Sequence, residues 1–239
     1  MNKKYKGILW WQAVLLLAAF FTAICKIYIG MDHDESYIVV MGIRLLNGDR
    51  MFDTMWDLHM TSAWPAWLGT ELFYRVTGSL DGLVVFLRIL SVILQFAVAY
   101  VVYCILKKYF AQESAFLAAI VTAVFLPRAT QNLEYGLLEM LFVILTSVLI
   151  YDVIRQANDG GTVSWWKIVI SAILFSVAVL AYPTIILAFP VYLVAACLLL
   201  NRKNAKWQVP LVFAGVCAIC AGIFLVYILS YLSVPELLA

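Results

Sequence analysis

The chain has 239 residues, of which 65% are hydrophobic and 13% charged, and its mean hydropathy is +0.98. A soluble domain carries about 45–50% apolar and about 25% charged residues, so this composition excludes a soluble globular enzyme and a disordered chain. A formal net charge of +2 provides no large basic surface and excludes a nucleic-acid partner.

A helix needs about 20 apolar residues to cross a bilayer, and the uncharged runs locate the crossings. The first, Gly7 to Cys25, follows Lys3, Lys4 and Lys6. A cleaved signal peptide has a shorter apolar region ending in small residues. Here the run contains Trp10 and Trp11 and ends in Ile24-Cys25-Lys26, which predicts an uncleaved span over about 8–30. Further spans are predicted at about 82–106, 113–130 and 135–154. Ile168 to Asn201 is uncharged for 34 residues, about 51 Å of helix and too long for one crossing. Pro183 near its middle therefore predicts two spans, 166–182 and 184–200, with a tight turn at Tyr182-Pro183-Thr184. The last span is 208–231. The expected fold is an all-α polytopic membrane protein: one membrane module over 1–239, with about seven transmembrane helices and an outer loop, 31–81, containing interfacial helices.

With the N-terminus in the cytoplasm, ten of the sixteen bases and three of the fourteen acids face inward. Six bases and eleven acids then lie outside. The positive-inside rule supports that orientation, and the short loops fit a bacterial plasma membrane. The five cysteines lie in apolar runs without metal-ligand spacing and are expected as small core residues.

Loops beyond about 12–15 residues are usually functional or carry structure of their own, and 31–81 is much longer. Ser36–Leu46 suits a helix stopped by Asn47-Gly48-Asp49. Thr61–Val76 is aromatic, broken by Pro65 and Glu71, and ends at Gly78. An eighth span there would invert every later loop, so a helix lying in the outer interface is expected. The loop opens on Asp32-His33-Asp34-Glu35. Asp32 and Glu35 fit a capping box, which leaves Asp34 as an acid beyond what a cap requires. A carboxylate at the membrane face can deprotonate an acceptor hydroxyl or hold a metal. His33 and His59 are either polar loop residues or metal ligands. Arg88 and Arg128 stand near the outer ends of the second and third spans, and Glu134 and Glu139 begin the fourth. Such groups face a cavity, form Arg–Glu pairs or snorkel to the interface. A cavity-facing arginine suits a phosphate.

The ordered series Asp34-Glu35-Ser36-Tyr37, Leu46-Asn47-Gly48, Asp53, Trp56-Asp57-Leu58-His59, an aromatic helix, Gly78 and Arg88 resembles the start of polyprenyl-phosphate-dependent membrane glycosyltransferases. These are of the protein mannosyltransferase and aminoarabinose transferase type, glycosyltransferase family 39-like, with the C-type glycosyltransferase membrane fold. The resemblance is best over 8–110 and looser over 111–200. It implies Asp34 as the catalytic acid-base residue and Glu35 beside it in the site. It also implies Arg88 and Arg128 near the donor phosphate, with Asp57, His59 and Glu134 as further site candidates. Two features depart from the family: His59 is followed by Met60-Thr61 rather than Pro-Pro, and the family continues beyond a seventh span. The implied function is an inverting transfer of a sugar from a polyprenyl-phosphate donor to a protein or glycolipid hydroxyl at the outer face, by an N-terminal part of a longer enzyme. No cofactor is certain, and a divalent metal is compatible with the acids. The rival expectations are a non-catalytic truncated module or lipid-linked-sugar-binding subunit, and a small transporter. A transporter predicts ionisable groups at mid-span, whereas here the charges cluster at one face.

Overall fold

A computed structural model of the chain describes residues 9–57, 59–127, 131–201 and 203–238. Among them there is no strand, and ten helices follow in order: α1 Trp10–Ile27, α2 His33–Leu46, α3 Trp64–Thr77, α4 Leu83–Leu106, α5 Gln112–Val124, α6 Tyr135–Asn158, α7 Trp165–Ala181, α8 Phe189–Leu199, α9 Lys203–Leu229 and α10 Val234–Leu238. Four helices are long and apolar enough to cross a membrane: α1, α4, α6 and α9. The shorter apolar helices are α5, α7 and the 183–199 segment. Large apolar side chains point outward along them, including Leu17 and Phe21 on α1 and Leu211, Ile219 and Val226 on α9. In water that surface would be untenable; in a bilayer it is the solvent-facing side. The protein is an all-α polytopic integral membrane protein.

In the bundle α4 packs against α5 and α6, with α1 against both α4 and α5. α7 lies between α6 and α9, and α8 packs on α9. α2 and α3 sit together at one end, α3 also touching α4. Their close approach needs glycine. A Cβ on Gly42 of α2 would lie 3.0 Å from the Thr70 hydroxyl oxygen of α3, and one on Gly69 would lie 2.6 Å from Leu87 of α4.

Several boundaries differ from the expected ones, each for a local reason. α5 ends at Val124 rather than 130. Pro127 keeps the residue before it out of the helical region. The helix end is instead closed by a side chain from α4: Gln95 Nε2 donates to the Thr122 carbonyl at 3.0 Å and the Phe125 carbonyl at 2.7 Å. Gln131 Nε2 in turn donates to Gln95 Oε1 at 2.8 Å. After α7 there is no tight turn between two full spans. Tyr182 is extended, Pro183–Ala188 forms a 3-10 segment, and α8 is only 11 residues. Pro65 does not break α3 but sits in its first turn, where its missing N–H has no helical acceptor anyway. Glu71 pairs with Arg75 one turn on at 2.6 Å.

Inside α9, Pro210 cannot donate to the carbonyl four residues back, Lys206. The Cys197 thiol of α8 takes that carbonyl at 3.7 Å. In a bilayer such groups have no water to fall back on. Gln95→Leu is therefore expected to strip partners from two carbonyls and the Gln131 amide, destabilising by about 1–3 kcal/mol. The readout is a lower midpoint of thermal unfolding in detergent; an unchanged midpoint would contradict the role given to this network.

Candidate functional site

The site forms where the first turn of α2, the start of α6, the end of α7 and the 57–64 segment meet. Asp32 is the N-cap of α2 and its carboxylate accepts from the His33 backbone N–H at 2.6 Å. Asp34 and Glu35 lie in the first turn, where acids gain from the helix dipole. Glu35 does not complete a capping box. It turns inward, 1% exposed, to Arg88 of α4, which is 3% exposed.

That pair is bidentate: Arg88 Nε donates to Glu35 Oε1 at 2.6 Å and Nη2 to Oε2 at 2.5 Å. The remaining guanidinium hydrogens go to main-chain carbonyls: Nη1 to Ile27 and Ile29 at 2.6 Å each, Nη2 to Gly30 at 3.3 Å. All five donors of the arginine are thus matched by acceptors from the exit of α1 and the first turn of α2. A buried pair becomes strongly unfavourable if one partner is removed, by about 3–5 kcal/mol. In this geometry Arg88 has no N–H left for a donor phosphate, so the pair acts as a clamp that fixes where α2 begins.

Next to it, Asp34 is half-buried rather than sealed. The Tyr135 hydroxyl, at the first residue of α6, donates to Asp34 Oδ2 across a long 3.5 Å. The Tyr135 ring stacks on His59 with centroids 4.2 Å apart, and His59 also stacks on Tyr182 at 4.9 Å. His59 has a left-handed backbone with φ 62°. Its carbonyl accepts from the Ser62 N–H and hydroxyl at 2.8 and 2.6 Å, which starts the 60–63 turn. Thr61 ties that turn to α7 by donating to the Leu180 carbonyl. Asp57 is exposed and hydrogen-bonded to the Tyr37 phenol; burial and that carboxylate hold the phenol well above its usual pKa.

The structure therefore brings Asp34, Asp57 and His59 into one cluster. Glu134 is buried at the N-cap of α6, beside Tyr135. Arg128 lies outside the described residues. Tyr37, Tyr135 and Tyr182 were not singled out from the sequence as site residues, although Tyr135 opens the predicted fourth span and Tyr182 stands at the predicted turn before Pro183, where tyrosines of a site at the membrane face are to be looked for. His33 is exposed. Among the described residues no group of three His, Cys, Asp or Glu could hold a metal ion.

Beneath the cluster an apolar cavity of about 440 Å³ opens between α7 and α9, roofed by Thr61, Trp64 and Pro65 and walled by Leu180, Ile223 and Phe224. It shares Ser176, Leu180, Cys220 and Phe224 with a second apolar cavity of about 410 Å³ further along α9. The two apolar cavities adjoin between α7 and α9.

The family described as dolichyl-phosphate-mannose-protein mannosyltransferase matches residues 60–229. No curated protein and no solved structure matches the chain.

Burial lowers the His59 pKa, an effect only partly opposed by Asp57. The unfolded chain then binds a proton more readily than the folded one, so this residue's contribution to stability is present above about pH 6.5 and is lost as pH falls below it. The midpoint of thermal unfolding should fall between pH 7 and 5. In His59→Phe, which keeps a ring in the stack, that slope should flatten. Equal slopes in both proteins would remove His59 as the source.

Proposed function

The chain belongs to the dolichyl-phosphate-mannose-protein mannosyltransferase family, and from that premise we propose that it transfers a sugar from a polyprenyl-phosphate carrier to a hydroxyl acceptor at the outer membrane face, with the N-terminus in the cytoplasm. The observation that carries this reading is the setting of Asp34: a half-buried carboxylate on a clamped first turn, linked through Tyr135 and His59 to the turn that roofs an apolar cavity.

The chemistry follows from that setting. The carrier's apolar tail lies in the cavities between α7 and α9, with its phosphate and sugar toward the polar cluster. An acceptor hydroxyl, from a protein or a glycolipid, attacks the anomeric carbon as Asp34 takes its proton. The new C–O bond forms on the face opposite the breaking C–O(phosphate) bond, so configuration inverts, and the polyprenyl phosphate leaves with the bonding electron pair. Glu35 and Arg88 are positioning residues that hold the α2 turn. The cation for the departing phosphate is Arg128, placed by sequence in the segment leading to α6. Tyr135 orients Asp34, and the stacked rings of His59 and Tyr182 brace Tyr135. Asp57 and Glu134 complete the polar lining around the acceptor.

The test uses membranes carrying the chain and dolichyl-phosphate mannose as the probe donor, reading transfer to endogenous acceptors and donor binding separately. Removing a general base costs about 10²–10⁴ in rate. Asp34→Asn is expected to lose transfer by that factor while donor binding persists. Wild-type transfer in a well-expressed Asp34→Asn variant would refute the role of Asp34. Donor binding without transfer in the wild-type chain would refute turnover and leave a sugar-carrier-binding module.

A further inference from the structure

At the end of the bundle opposite the 31–81 loop, one buried acid organises a set of cations. Asp152 in the last turns of α6 is 0% exposed. Lys167 Nζ of α7 meets its Oδ2 at 2.5 Å, and the Tyr109 hydroxyl from the α4–α5 loop meets Oδ1 at 2.6 Å. Lys108 Nζ spans both oxygens at 3.2 and 3.3 Å, yet its side chain is 44% exposed. Lys167 already neutralises Asp152 at short range. The Lys108 ammonium is therefore held in place by long contacts with charge and N–H capacity to spare. One turn beyond Asp152, the exposed Arg155 guanidinium lies 5.6 Å over the Tyr109 ring. Lys107 folds over Tyr103 at 4.8 Å.

The local acids are Asp152, Glu113 and Asp159, against Lys107, Lys108, Arg155 and Lys167. Lys206 stands at the same end of the bundle, at the start of α9 and outside this cluster. Large aromatic side chains stand exposed around the cations: Phe110 at 46%, Trp165 at 42% and Trp166 at 60%. Tryptophan beside lysine and arginine at the end of membrane helices is the composition of a headgroup-level surface.

We propose that this face is a binding site for an anionic phospholipid. Its headgroup phosphate sits between Lys108 and Arg155 with Lys107 alongside, and its acyl chains lie against Phe110 and Trp166. Charge complementarity commits the occupant: a zwitterionic headgroup brings its own cation to a site that already has an excess of them, whereas a phosphatidylglycerol headgroup does not. The cations are pre-positioned by the Asp152 network and by ring stacking, so little side-chain freedom is lost on binding. The proposal is independent of sugar transfer and of which leaflet this end occupies.

The experiment uses the full chain in nanodiscs of mixed phosphatidylcholine and phosphatidylglycerol, with native mass spectrometry counting the lipids that stay bound. Wild type should retain phosphatidylglycerol preferentially. Each cation near an anionic headgroup is worth about fivefold in partition, so Lys107→Gln/Arg155→Gln should reduce retention on the order of tenfold or more. Neither side chain bonds to Asp152, so the buried network stays intact. Lys206→Gln, at the same end but outside the cluster, should leave retention unchanged. Equal retention of the two lipids by wild type would overturn the proposal. So would an equal loss from Lys206→Gln, or displacement of the lipid by inorganic phosphate at matched concentration, which would indicate a plain anion site.

Discussion

The end of α1, the start of α2 and α4 depend on one guanidinium. Arg88 takes the carbonyls of Ile27, Ile29 and Gly30 where α1 ends, and the carboxylate of Glu35 where α2 begins. It stands near the start of α4, a membrane-length helix, so it is an anchor with little freedom of its own. The desolvation of two charges is offset here because every donor is used and both carboxylate oxygens are met. Lysine has three donors on a point charge and cannot reproduce that fork. The consequence reaches the neighbouring residue. Asp34 is displaced about 100° around α2 from Glu35, so with Glu35 locked inward Asp34 is aimed along the rim of the helix at Tyr135.

The same principle recurs wherever the backbone ladder is interrupted inside the bundle. The end of α5 is closed by Gln95, the gap behind Pro210 by Cys197, and the charge of Asp152 by Lys167, Lys108 and Tyr109. Each of these groups has a partner from another element of the bundle, and those bonds tie neighbouring segments together. The cluster around Asp34 is built differently. The Tyr135–Asp34 bond is long, the rings of Tyr135 and Tyr182 stack on His59, Asp34 is half-buried and Asp57 is exposed. That contrast separates the parts that hold shape from the more open cluster around Asp34.

The helices were legible in the sequence because charge marks their ends. The end of α7 at Ala181 follows from Pro183, which interrupts an uncharged stretch, and α2 and α3 lie in the long loop between α1 and α4. The α5 boundary was not legible, since it depends on Gln95, which looks like a stray polar residue in the run that forms α4. The Glu35–Arg88 pair was not legible: Arg–Glu pairing was expected only among Arg88, Arg128, Glu134 and Glu139. The two residues are 53 positions apart, and Asp32 with Glu35 makes an equally good capping pattern. Structure decided that choice: Asp32 caps alone and Glu35 pairs. The tyrosines of the site escaped notice because a tyrosine at a helix end is ordinary in a membrane protein; only the stacking of Tyr135 and Tyr182 on His59 sets these two apart.

The clamp's control of the α2 turn is open to hydrogen–deuterium exchange on the backbone amides of 28–40 in Arg88→Lys, read beside transfer activity. If the clamp positions Asp34, exchange across the first turns of α2 rises sharply in the variant while the middle of α6 keeps its protection, and transfer falls with it. Unchanged exchange in α2 alongside lost transfer would contradict this and make Arg88 a direct participant at the donor phosphate.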